Sequence, residues 1–147
     1  MAEEIAEGIR ETEGMEVVID DVEVVDLQWA VDYDIILIGS PNHLGGPART
    51  IKRFIDNLSR LNLKAKWFAV FDTYLGGDFE KAVKKMEKTI KEKIPSLKRI
   101  SPGLSIRVRG IKGPIVDGEL PRCREFGRQI ADQLKDRLRK GSRNKEI

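Results

Sequence analysis

The stretch Asp34-Ile35-Ile36-Leu37-Ile38-Gly39-Ser40-Pro41 decides the fold. Its four aliphatic residues follow one another with no polar alternation, so neither side of an extended chain is left for water. A strand of that kind is buried on both faces, as in parallel sheets covered by helices. The loop Ser40 to Pro47 (SPNHLGGP) follows at once, and Ile51, Phe54, Ile55 and Leu58 then recur at helical spacing. The same order repeats downstream. Trp67 to Phe71 (WFAVF) is a second apolar strand, Asp72 to Asp78 (DTYLGGD) is a polar loop, and Phe79, Ala82, Val83, Met86 and Ile90 stripe a helix that Pro95 stops.

On the N-terminal side, Ala2, Ile5, Ala6 and Ile9 form the apolar stripe of a helix ending near Gly14, and Met15, Val17 and Ile19 predict a short strand. On the C-terminal side, residues 97–110 read as a broken or bulged strand, best between Ser105 and Val108. A loop then leads to a helix striped by Cys123, Phe126, Ile130, Leu134 and Leu138. Strands alternating with amphipathic helices imply a doubly wound parallel sheet with right-handed crossovers. Ligands of such sheets bind beyond the carboxyl ends of the strands. The loops at Ser40 and Asp72 leave those ends, so they are predicted to lie side by side at one edge.

Composition narrows the function classes. A chain of 147 residues is about one domain. Residues 135–147 hold six Lys or Arg against two Asp or Glu, so the net charge of +3 belongs to the tail and the body is near neutral. A basic helix end with no aromatic interleaving gives no footprint for nucleic acid. No run reaches the roughly 20 apolar residues of a membrane span. The acidic, helical N-terminus lacks the pattern of a signal peptide, so a cytoplasmic location is expected. One cysteine, Cys123, and one histidine, His43, supply neither a disulfide nor a multi-ligand metal site within a chain. Cys123 reads as a buried small hydrophobe.

Together, Asp34 to Pro41, Gly46-Pro47 with Ile51-Lys52 and Phe54-Ile55-Asp56, and Phe71-Asp72-Thr73 with Phe79-Glu80-Lys81-Ala82 resemble the flavodoxin-like family of archaea and bacteria. Gly113-Pro114 and Gly118-Glu119-Leu120 extend the resemblance weakly, so that it covers residues 2–138 and leaves 139–147 as a basic tail. It implies a parallel sheet of order 2-1-3-4-5 carrying flavin mononucleotide (FMN) at its carboxyl edge. In the family a first strand and a Ser/Thr- and Gly-rich phosphate loop precede the first helix, and this sequence contains neither. Met1 to Ala6 looks like a point inside the helix start. The expectation is that about 12–18 residues belong upstream, from common strand and loop lengths; the alternative is a true start at Met1 and a lost phosphate site. Without the central strand, the chain is expected to be unstable, rearranged or completed by a partner's strand, including one from another copy.

By the same resemblance, the ring of FMN would lie between the two remaining loops. Ser40, Pro41, Asn42, His43, Leu44 and Gly45 would flank one face, with a backbone group near Gly45 reaching ring N5. Asp72, Thr73, Tyr74, Gly76 and Gly77 would form the other side, Tyr74 stacking and the backbone of Tyr74 to Gly77 meeting the pyrimidine edge. Each residue has a plainer reading as turn, cap or exposed loop. The function expected is an electron carrier serving redox partner proteins, rather than a stand-alone enzyme. A cofactor-free interaction module and an FMN-dependent nicotinamide-driven reductase stay open as alternatives, although no GxGxxG dinucleotide fingerprint is present.

Overall fold

A computed structural model describes residues 1–110 and 113–146, with side chains described through residue 140. The chain falls into two compact units, Met1–Ile19 with Leu120–Ile147, and Asp20–Glu119.

The second unit holds the sheet. Strand β1 (Ile35–Pro41) and strand β2 (Trp67–Tyr74) pair in parallel, from Ile35 opposite Trp67 to Pro41 opposite Thr73. Strand β2 also pairs in parallel with the short β3 (Lys98–Arg99) and with β4 (Leu104–Arg107), so β2 is central. Because side chains alternate along a strand, Ile36, Ile38, Phe68 and Val70 share one face. There they pack with Ile51, Ile55 and Leu58 of α3 (Arg49–Leu58) and with Ala82, Val83, Met86 and Ile90 of α4 (Lys81–Lys93). Each of the larger buried side chains, Ala82 aside, contributes roughly 1.5–3 kcal/mol of transfer free energy. Gly39 interrupts the aliphatic run for a steric reason: a Cβ there would collide with the Phe71 ring.

Two expectations need correction in detail. Phe79 is not the first residue of the α4 stripe; it is 51% exposed, because Glu80 adopts a left-handed conformation (φ 60) that breaks the chain direction before Lys81. Residues Met15, Val17 and Ile19 belong to no strand, and Ile19 is exposed. Alternation marks a segment able to pair, but a strand exists only with a neighbour that takes its backbone groups. A one-turn helix, α2 (Leu27–Ala30), also forms, with Asp26 accepting from the Gln28 N–H at 2.9 Å.

Strand β1 is an edge strand among the described residues. The Asn42 N–H donates to the Thr73 carbonyl, which fixes the register so that even-numbered residues of β1 bond to β2. Ile35, Leu37 and Gly39 direct their backbone groups the other way, where no described strand pairs with them.

In the first unit, α1 (Ala2–Arg10) packs on α5 (Leu120–Glu146). Gly8 lies against the Arg124 carbonyl and Gly127 against the Ile5 carbonyl, and a Cβ at either would collide with backbone. The close approach buries Ile5, Ala6 and Ile9, and Cys123, Phe126, Ile130 and Leu134 are buried on α5. Leu138, expected in that stripe, is 39% exposed. Arg128 pairs with Glu11 and Arg124 with Glu4 along the seam. The basic tail expected at 139–147 begins within α5, and its side chains from 141 lie outside the described residues. No described helix is long and apolar enough to cross a membrane.

Candidate functional site

The ladder sets the site. Ser40 lies opposite Asp72 and Pro41 opposite Thr73, so the two loops leave the same end of adjacent parallel strands, side by side as predicted.

The first loop is a tight hairpin. Asn42 and Pro47 bridge in antiparallel fashion, the His43 N–H donates to the Gly46 carbonyl at 2.6 Å, and the Gly46 N–H returns a bond to the His43 carbonyl at 3.1 Å. The two central residues, Leu44 (φ 52) and Gly45 (φ 73), are both left-handed. That turn is normally made by Asn-Gly or Gly-Gly. A leucine in it costs on the order of 1–2 kcal/mol, and Leu44 is also fully exposed, at 106%. Ser40 is buried beneath the loop; its hydroxyl donates to the Pro41 carbonyl at 2.8 Å and accepts from the Ala48 N–H at 2.9 Å. The Gly45 carbonyl accepts from Lys85 Nζ at 2.7 Å.

The second loop is anchored from below. Asp72 has no solvent exposure. One carboxylate oxygen accepts from the Val83 N–H at 3.0 Å and the other from the Ser105 hydroxyl, which itself accepts from the Glu80 N–H at 3.0 Å. Asn42 completes the set: its Oδ1 accepts from the Ala82 N–H at 2.9 Å and its Nδ2 donates to the Thr73 carbonyl at 3.0 Å. Helix α4 has no cap of its own, because the Glu80 side chain accepts no hydrogen bond from its first N–H groups. Side chains from two other segments therefore satisfy its first N–H groups. Burial pushes the Asp72 carboxyl above the usual carboxylate range, opposed by the bonds from Ser105 and Val83 and assisted by the nearby charge of Glu80.

Above this anchor the chain is open. Tyr74 is half-buried and meets the Phe79 ring edge-on, with centroids 5.3 Å apart and planes at 70°. Gly76 (φ 57) and Gly77 are exposed, and a Cβ on either would meet nothing within 4 Å. The N–H groups of Leu75, Gly76 and Gly77 donate to no acceptor among the described residues. The Tyr74 N–H, in contrast, lies within the β2–β4 ladder.

The expected site residues thus separate by role. Pro41, His43, Leu44, Tyr74, Gly76 and Gly77 present surface at the strand ends, whereas Ser40 and Asp72 spend their side chains below it, and Asn42 and Thr73 join the loops. Ser105 and Phe79 were missed. Ser105 becomes visible only through the β2–β4 register, in which it faces Asp72. Three adjacent backbone donors, aromatic edges and an exposed aliphatic tip fit a flat ligand that is apolar on its face and rich in acceptors on one edge. The isoalloxazine of a flavin has that chemistry.

No family model and no curated protein sequence matches the chain. Among solved structures, a flavodoxin from the domain Archaea superposes with a TM-score of 0.76 at 24% identity, over 91% of this chain and 87% of that one. Flavodoxin 2 from Bacillus cereus superposes with a TM-score of 0.69 at 26% identity, over 89% and 90% of the two chains. Rubredoxin oxygen:oxidoreductase from Desulfovibrio gigas matches 93% of this chain with a TM-score of 0.70 at 18% identity, but over 33% of its own length. With β1, β2 and β4 in one parallel sheet and both loops at its carboxyl edge, the chain has a flavodoxin-like α/β fold.

Proposed function

We propose that the chain holds the ring of FMN between the 40–47 and 72–79 loops and carries electrons between protein partners. The supporting observation is the run of free donors at Leu75, Gly76 and Gly77 beside an exposed turn tipped by Leu44. The donors would meet the acceptors of the ring's pyrimidine edge, and the two glycines allow a close backbone approach. Leu44 and Tyr74 would cover the ring faces, and Phe79 braces Tyr74. When bound, FMN supplies the one- and two-electron chemistry; the protein orients the ring and limits its contact with water. The likeness to named flavodoxins supports the carrier reading over a cofactor-free module.

A potentiometric titration of the FMN-loaded protein tests the proposal. The flavin potentials are expected to differ from those of free FMN. Potentials equal to those of free FMN, or failure to load at all, would reject the carrier reading.

A further inference from the structure

Helix α4 is where the two loops are held together. In its first turn the N–H groups of Ala82 and Val83 donate to Asn42 and Asp72, and just before it the Glu80 N–H donates to Ser105, so side chains from three different segments meet at the helix start. Of these three, Asn42 alone belongs to the first loop, and its amide also donates to the Thr73 carbonyl at the start of the second. A single side chain therefore bridges the hairpin, the end of β2 and the helix start. Lys85 adds one more tie, to Gly45, but it is an exposed lysine reaching the tip rather than the base.

We infer that Asn42 is a positioning residue that makes the two loops one rigid unit, so that the spacing between the Leu44 tip and the Leu75–Gly77 donors is set by this amide rather than by a ligand. The inference rests on the ring-binding proposal above for its functional meaning, while the coupling itself belongs to the flavin-free protein. An asparagine suits the task chemically because it offers a donor and an acceptor on one short arm. Alanine at this position would leave the Ala82 N–H without its acceptor and the Thr73 carbonyl with the backbone N–H of residue 42 as its remaining donor.

The test is amide hydrogen exchange of flavin-free protein, comparing wild type with Asn42→Ala and Lys85→Met. In Asn42→Ala, exchange should quicken together at His43 and Gly46 in the first loop, at Asp78 in the second and at Lys81 and Ala82 where α4 begins. About tenfold is expected, the factor given by 1.4 kcal/mol of lost hydrogen bonding. Lys85→Met should quicken exchange at Gly46 alone. If Asn42→Ala does not fold, Asn42→Asp keeps the acceptor for Ala82 and the backbone bond to Thr73 but removes the side-chain donor; it should free His43 and Gly46 while Ala82 stays protected. Quickening confined to one loop in Asn42→Ala, or none at His43 and Gly46 in Asn42→Asp, would overturn the coupling.

A second readout separates positioning from plain stability. The visible circular dichroism of bound FMN should change in Asn42→Ala and stay as in wild type in Lys85→Met; an unchanged spectrum in Asn42→Ala would overturn the positioning role. A wild-type protein that loads no FMN would reject the ring-binding proposal itself, and exchange would still decide the coupling.

Discussion

The two loops of the site are built in opposite ways. The 40–47 loop closes its own backbone through the His43–Gly46 pair and the Asn42–Pro47 bridge, and what it presents outward is a side chain, Leu44. The 72–79 loop buries its principal side chain, Asp72, and what it presents outward is backbone, the N–H groups of Leu75, Gly76 and Gly77. One loop offers apolar cover and the other offers donors. Neither alone suits a flat ligand with an apolar face and a polar edge, so the pairing of unlike loops carries the functional reading.

That contrast breaks most visibly at Asp72. Asp72→Ala leaves the Val83 N–H and the Ser105 hydroxyl buried without their acceptor, and at about 1–3 kcal/mol for each unsatisfied group the loss should be about 2–6 kcal/mol in urea unfolding. The charge has its own signature. Because burial raises the carboxyl's pKa in the folded state, the folded protein binds more protons than the unfolded chain between the ordinary carboxylate range and the raised value. Stability should therefore fall as pH rises through that window and level off above it. Asp72→Asn should flatten that slope; an equal slope in the variant would place its origin elsewhere.

A smaller effect is expected at Tyr74. Tyr74→Ala removes the edge-on contact with Phe79 and the proposed ring cover, and flavin affinity should fall by about 1 kcal/mol or more, the scale of an aromatic pair. Tyr74→Phe should keep most of it. Unchanged affinity in the alanine variant would exclude Tyr74 as cover.

The mildest and most discriminating change is Leu44→Asn. Asparagine tolerates the left-handed conformation that leucine resists, so the variant should unfold about 0.5–1 kcal/mol later than wild type. If the strained leucine serves a ligand, the same substitution should weaken flavin binding. A gain in stability with no loss in binding would mark Leu44 as a turn residue only.

How much of this was legible in the sequence depends on the range of the interaction. The strands at Ile35 and Trp67, the adjacency of the two loops and the helix stripes, apart from Phe79 and Leu138 at their ends, follow from local apolar patterns and are observed. The Met15–Ile19 strand was misread because its pattern is local while its pairing is not. The Asp72–Ser105 bond spans 33 residues and the Asn42–Ala82 bond 40, and no periodicity announces either. The left-handed Leu44 was missed since LGG lacks the Asn or Asp that usually marks such a turn. Gly8 and Gly127 look like ordinary weak helix formers until each is seen beneath a carbonyl of the other helix.

The central claim is that two preformed loops grip the ring of a flavin, and fluorescence quenching with FMN and riboflavin in parallel tests it most directly. The account predicts that this chain quenches both, with dissociation constants within about tenfold of each other, a difference of about 1.4 kcal/mol, since every contact named lies on the ring side. Quenching of neither flavin would contradict the ring site. FMN bound more than about a thousandfold tighter than riboflavin, or about 4 kcal/mol, would contradict it differently, by showing that the phosphate rather than the ring dominates recognition.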